Sequence, residues 1–195
     1  MTTATPDSVP RRPAHVPGEA GVWLFIAGDL TLFSVLFVTF LHYRGAEHEV
    51  FAAGRARLDQ TLGLLNTLLM LTSSWCVANA VRAARLRIAD APQRLFRIAI
   101  ACGAVFGVVK GFEYTAKISA GITPETNDFF MLYFVYTGIH MLHVLIGMGV
   151  LAAMSGYVRS RGIEAVNVQH LESGATFWHL VDLLWIVLFA LLYLV

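Results

Sequence analysis

Charged residues along this chain are clustered, and the stretches between the clusters are long and almost entirely apolar. Five of those stretches reach the roughly 20 residues that a helix needs to cross a bilayer. They cover residues 22–43, 62–81, 95–118, 129–156 and 174–195. The second and fourth contain no formal charge, the first holds only Asp29, and the fifth holds Asp182 together with His179. The third is the most polar, with Arg97, Lys110, Glu113 and Lys117, the last three in its outer half. This pattern predicts an all-α membrane protein, a bundle of five transmembrane helices. The connections are short. Residues 44–61 are polar and compatible with a short surface helix, and residues 119–128 (SAGITPETND) have turn chemistry in Gly121, Pro124 and Asn127. There is no internal repeat, and no block is left over for a soluble catalytic domain.

Composition strengthens this reading. Of 195 residues, 57% are hydrophobic and 14% charged, with a mean hydropathy of +0.65. A soluble domain carries about 25% charge. A net charge of +1 gives no electrostatic support for a nucleic-acid partner. Cys76 and Cys102 both lie in apolar stretches, form no CxxC pair, and read as small buried residues. Residues 1–18 are polar and proline-rich, with no apolar core of a secretory signal, and read as a flexible tail ahead of a membrane domain covering 19–195. Lys and Arg are biased between the connecting segments. Arg11, Arg12, Arg82, Arg85, Arg87, Arg94, Arg97, Arg159 and Arg161 fall on one side, and Arg44, Arg55, Arg57 and Lys117 on the other. The positive-inside rule then predicts a cytoplasmic N-terminus and an outward C-terminus.

Ionisable groups inside a membrane are expensive and face the bundle interior or a partner. At about 1.5 Å of rise per residue, Asp29 lies about 10 Å from the cytoplasmic edge, with His179 and Asp182 about 8 and 12 Å in. His140 and His143 fall near the midplane. Each of the pairs 140/143 and 179/182 has the spacing of neighbours on a helix face. A single polar seam of Asp29, His140, His143, His179 and Asp182 is expected. A second group lies toward the outer side: Asn66 and Thr67 in the second span, and Lys110, Glu113 and Lys117 in the third. Glu113 can pair with Lys110 or with Lys117. Tyr193 and Trp23 read as interface-belt aromatics, with Tyr43 and Tyr157. Gly138, Gly147 and Gly149 read as close-packing positions.

Three chemistries fit the seam. Imidazole plus carboxylate suits iron, copper or zinc, but a haem–copper centre needs more histidine than the three that lie deep. A proton path would use the aspartates and histidines, although no continuous carboxylate ladder is visible. Hydrogen-bonding ties between helices, to lipid or to a neighbouring subunit require least, and we adopt that reading, with no catalytic residue and no metal site.

The stretches WLFIAGDLTLFSVLFVTF, LLNTLLMLTSS, KGFEY, TGIHMLHVLIG and FWHLVDLLWIVLF resemble, in order and spacing, the conserved region of haem–copper oxidase subunit III, from about residue 18 onward. Large members of that family have seven helices, and this chain resembles the five-helix bacterial members, which lack the first two. The run NDFFMLYFVYTGIHMLHV looks most like the branch associated with nitric oxide reductase. The resemblance implies an accessory subunit without a redox centre of its own, in a bacterial inner membrane. It implies contact with the catalytic subunit I, which holds the haem and copper, and with phospholipid. Carried over by position, Asp29 is the buried carboxylate, and Glu113, His140, His143, Trp178, His179 and Asp182 line the packing or lipid-facing interior. The default expectation is the subunit III of a cytochrome c oxidase-type complex. The rivals are a nitric oxide reductase accessory protein, a stand-alone proton or solute transporter resting on Asp29, Glu113 and Asp182, and a metalloenzyme resting on the three deep histidines.

Overall fold

A computed structural model describes residues 18–195, and all regular structure among them is helical. Five helices are long and apolar enough to span a membrane. In chain order the elements are α1 (Ala20–Ala46), α2 (His48–Arg55), α3 (Gln60–Arg85), α4 (Ala91–Ser119), α5 (Asp128–Arg161) and α6 (Val168–Phe189), which ends in a π turn over Ala190–Leu194. The expected tail lies outside the described residues except for Gly18.

Every spanning helix runs a few residues past its apolar stretch. At the starts of α3, α5 and α6 the reason is capping: the hydropathy edge marks where lipid ends, whereas a helix begins where its free N–H groups find another acceptor. Asp59 accepts from the N–H groups of Thr61 and Leu62, Asn127 from Phe130, and Asn167 from Gln169. These caps start α3, α5 and α6 in polar sequence. The polar connection at 44–61 does carry a short helix, α2.

Helices α3, α4, α5 and α6 form a four-helix bundle in which each packs mainly on its two chain or ring neighbours, α6 closing back onto α3. Helix α1 lies on the edge against α5 and α6, and α2 folds over the end of α1 and α5. Burial follows this plan. In its most apolar stretch α6 is 61% buried and α1 only 22%. The α6 side chains Trp178, Trp185 and Leu188 are fully enclosed. Trp178 fits because Gly147 of α5 has no side chain: a Cβ there would come within 2.6 Å of the indole. Gly138 and Gly149, expected to serve the same purpose, have nothing packed against them. They lie on the side of α5 turned away from the bundle, because glycine count alone does not fix helix rotation.

Candidate functional site

Polar side chains occupy the interior at three levels. At the end where α3 finishes and α6 begins, Glu172 is only 5% exposed. It accepts from Arg85, with N–O distances of 3.0 and 2.8 Å, and from the backbone N–H of Gly18 at 3.3 Å. The N–H of Glu19 donates to Ser173, and Gln169 donates to the carbonyl of Gly18. The entry to α1 is thus tied to the first turns of α6.

The middle level holds the residues singled out from sequence, in three separate places. Asp29 of α1 meets His143 of α5, with Oδ1 3.0 Å from Nε2. The other ring nitrogen, Nδ1, lies 2.8 Å from the carbonyl oxygen of Ile139. A carbonyl can only accept, so Nδ1 carries a proton. The contact at Nε2 then needs a further proton, held by the carboxyl or by the ring. On the other side of α6, His179 Nδ1 lies 2.6 Å from Ser74 Oγ of α3. Asp182, one turn further along α6, is buried, and its Oδ1 has no partner among the described residues. His140 is fully enclosed between Phe106 and Trp185, with ring centroids at 5.7 and 5.3 Å. Trp185 Nε1 donates to Thr67 Oγ1, which in turn donates to the carbonyl of Gly63. Neither ring nitrogen of His140, neither amide atom of Asn66, nor Trp178 Nε1 is hydrogen-bonded among the described residues.

The single seam expected from sequence is therefore not formed. Residues three apart on a helix are rotated by about 60°, enough for His143 to reach α1 while His140 turns toward α4 and α6. Helix α6 itself separates the Asp29 side from the Ser74 side. Among the described residues no group of three His, Cys, Asp or Glu side chains could hold a metal ion.

The third level lies between α4, α5 and α6, toward the end of the bundle where α4 finishes and α5 begins. Lys110, 1% exposed, places Nζ 2.9 Å from Glu113 Oε2, 3.0 Å from Tyr133 Oη and 3.1 Å from Tyr193 Oη. Tyr193 donates to the other oxygen of Glu113 at 2.7 Å. The ammonium also faces the rings of Tyr133 and Trp185 at 4.8 and 5.5 Å. Every donor of Lys110 and both oxygens of Glu113 are engaged, as burial of charge in apolar surroundings requires. Of the two partners open to Glu113, the structure selects Lys110, while Lys117 donates to the carbonyl of Arg57 at 2.7 Å. Tyr193 is not an interface residue: it is fully buried. Sequence reasoning passed over Ser74, Tyr133 and Glu172, and had Lys110 only as one of two partners open to Glu113. The available signal was a lysine eight residues inside the C-terminal limit of an apolar span with a carboxylate one turn away.

The family model described as cytochrome c oxidase subunit III matches residues 16–195. The chain is 30% identical to the cytochrome c oxidase subunit 3 of Synechocystis sp., covering 92% of this chain and 82% of that protein. It is 25% identical to the probable quinol oxidase subunit 3 of Staphylococcus haemolyticus, covering 91% and 88% respectively. It is also 25% identical to the cytochrome c oxidase subunit 3 of Bacillus sp. strain PS3, covering 100% and 95%.

Proposed function

The chain belongs to the cytochrome c oxidase subunit III family and acts as an oxidase subunit III, and from that premise we propose how its buried polar groups serve the complex. It is a multi-pass membrane protein associated with a catalytic oxidase complex. Its seat is the bacterial cell membrane, with the N-terminus cytoplasmic and the C-terminus outside, as the arginine bias favours. It packs beside the catalytic subunit I, which carries the haem and copper, and shares phospholipid with it. The relatives named above are oxidase subunits, so the nitric oxide reductase reading is not favoured. Nothing in the arrangement of the polar groups calls for a stand-alone transporter.

The observation that carries this reading is the Asp29–His143 pair. It lies at the join between the edge helix α1 and the bundle. Lys110, Glu113, Arg85 and Glu172 are consumed in ties between helices and leave no ladder from one face to the other. The chain therefore works as a scaffold with one proton-linked joint, supporting sustained turnover of its partner without carrying electrons.

The test is Asp29→Asn in the assembled oxidase. Spectra of the haem centres and the initial rate should be unchanged, while activity over many turnovers declines faster than in the parent complex. Equal endurance of both complexes would remove the proton-linked role. A chain that never co-purifies with a haem-bearing subunit would remove the accessory role altogether.

A further inference from the structure

Where α3 meets α6, the outward side of the bundle carries polar groups well inside the apolar spans. Two stripes line it. Trp75, Ala78 and Arg82 follow one another on α3, and Thr176, His179 and Leu183 on α6, each set at the spacing of one helix face. The three α3 residues are exposed, Trp75 at 65%, and Leu183 is 50% exposed. Helix α1, packed on α5 and α6, does not cover them. Between the stripes runs a groove of about 270 Å³. Its floor includes Ala78, Ala175 and Thr176, with His179 toward one end and Arg82 beside the Arg85–Glu172 tie at the other.

Ser74 engages Nδ1 of His179 and leaves Nε2 without a hydrogen bond among the described residues. The indole N–H of Trp75 and the guanidinium of Arg82 make none there either. Trp75 lies six residues inside the end of its apolar stretch at Val81, about 9 Å at helical rise. Tryptophans of the headgroup belt sit at the edge of the bilayer, so this one is too deep to be an interface residue. Its neighbour Ser74 touches His179, which puts the imidazole at the same depth. Arg82 decides less, because a long cation at the end of a span reaches water by itself. The two deeper groups cannot do so. Facing acyl chains they would each forgo a hydrogen bond, in a medium that supplies none. A side chain from another helix supplies one, and the small residues of the groove floor let such a helix come close.

We propose that a membrane-crossing helix of the catalytic oxidase complex docks along this groove, with Trp75 and Leu183 on its two flanks. The helix that fits carries small residues against Ala78 and Ala175, a hydrogen-bonding side chain level with His179, and a carboxylate opposite Arg82. Charge complementarity sets the last of these. Arg85 is already spent on Glu172, so Arg82 is the groove's remaining cation among the described residues. The surface rests on the accessory role argued above and names the side of the chain through which that association is made.

The experiment places the photoreactive residue p-benzoylphenylalanine in the assembled oxidase, one position at a time, at Trp75, at Leu183 and, for comparison, at the exposed Phe112 of α4. Illumination of the purified complex should join this chain to a haem-bearing subunit from positions 75 and 183, and give no such product from 112. Equal product from 112 would overturn the surface, as would joining only to lipid or to a second copy of this chain. Ala78→Phe fills the groove from an exposed position. That chain should be lost from the complex during purification, while the thermal melt of the isolated chain stays where it was. Its full retention in the complex would also overturn the surface. A complex that keeps its haem-bearing subunit yet gives no product from 75 or 183 removes this face and leaves the accessory role standing. A chain that never co-purifies with such a subunit removes the role, and this surface with it.

Discussion

The Lys110–Glu113 cluster and the Asp29–His143 pair are both buried ionisable contacts between helices, yet they are built to opposite standards. In the first, three helices supply four groups, and every polar atom is engaged. In the second, two helices meet through one hydrogen bond, and the second oxygen of Asp29 has no partner among the described residues. The difference follows position. The first lies inside the four-helix bundle, where a charge has nothing but protein around it. The second lies at the join of the edge helix α1, whose outward face from Trp23 to Leu41 is largely exposed. A fully engaged cluster fixes geometry. A half-engaged pair is free to exchange a proton or to be altered by a neighbour.

The comparison can be broken most forcefully at Glu113. Glu113→Gln leaves the Lys110 ammonium without a counter-charge and should destabilise the bundle by about 3–5 kcal/mol, seen as loss of folded protein in a detergent thermal melt. The double change Lys110→Met with Glu113→Leu removes both charges and should recover most of that loss. Failure of the double variant to recover would mean that the tyrosine hydroxyls, not the charges, set the cluster. Next in size is Gly147→Val, which forces a side chain into the seat of Trp178. Overpacking of this kind costs about 1–3 kcal/mol, and the same melt should show it, accompanied by altered tryptophan fluorescence. The smallest effect belongs to Ser74→Ala. It deletes the contact to His179, and interhelical hydrogen bonds in membranes average about 0.6 kcal/mol. Hydrogen exchange in α3 and α6 should rise slightly while the melt hardly moves. A large drop would place Ser74 with the fully engaged class.

The five spans were legible because lipid demands an unbroken run of apolar residues, and Val22–Tyr43 or Leu62–Val81 satisfy that demand on the page. Helix ends were less so, since Asp59, Asn127 and Asn167 extend helices into polar sequence that hydropathy assigns to loops. Asp29, His143 and Glu113 stood out because ionisable groups in apolar runs need a reason. Their partners did not. Which helix faces which, and by what rotation, is decided by packing such as Trp178 against Gly147, and nothing local encodes it. For that reason His140 and His143 were assigned to one seam although they point to different neighbours. Tyr193 looked like an interface aromatic because its sequence position is terminal, while the π turn brings it back under Lys110. Glu172 was overlooked because it precedes the apolar stretch, and only the full helix shows it opposite Arg85.

The placement of Lys110 and Glu113 one turn apart on the same helix has a bearing on how the protein is made. Helix α4 brings its own counter-ion into the bilayer, so the lysine never needs to wait for a partner from a later segment. Tyr133 follows with the next helix and Tyr193 with the last, each adding a hydroxyl to a pair that is already complete. The lysine's counter-charge thus precedes in the chain the two hydroxyls that finally enclose it, so its neutralisation does not depend on them.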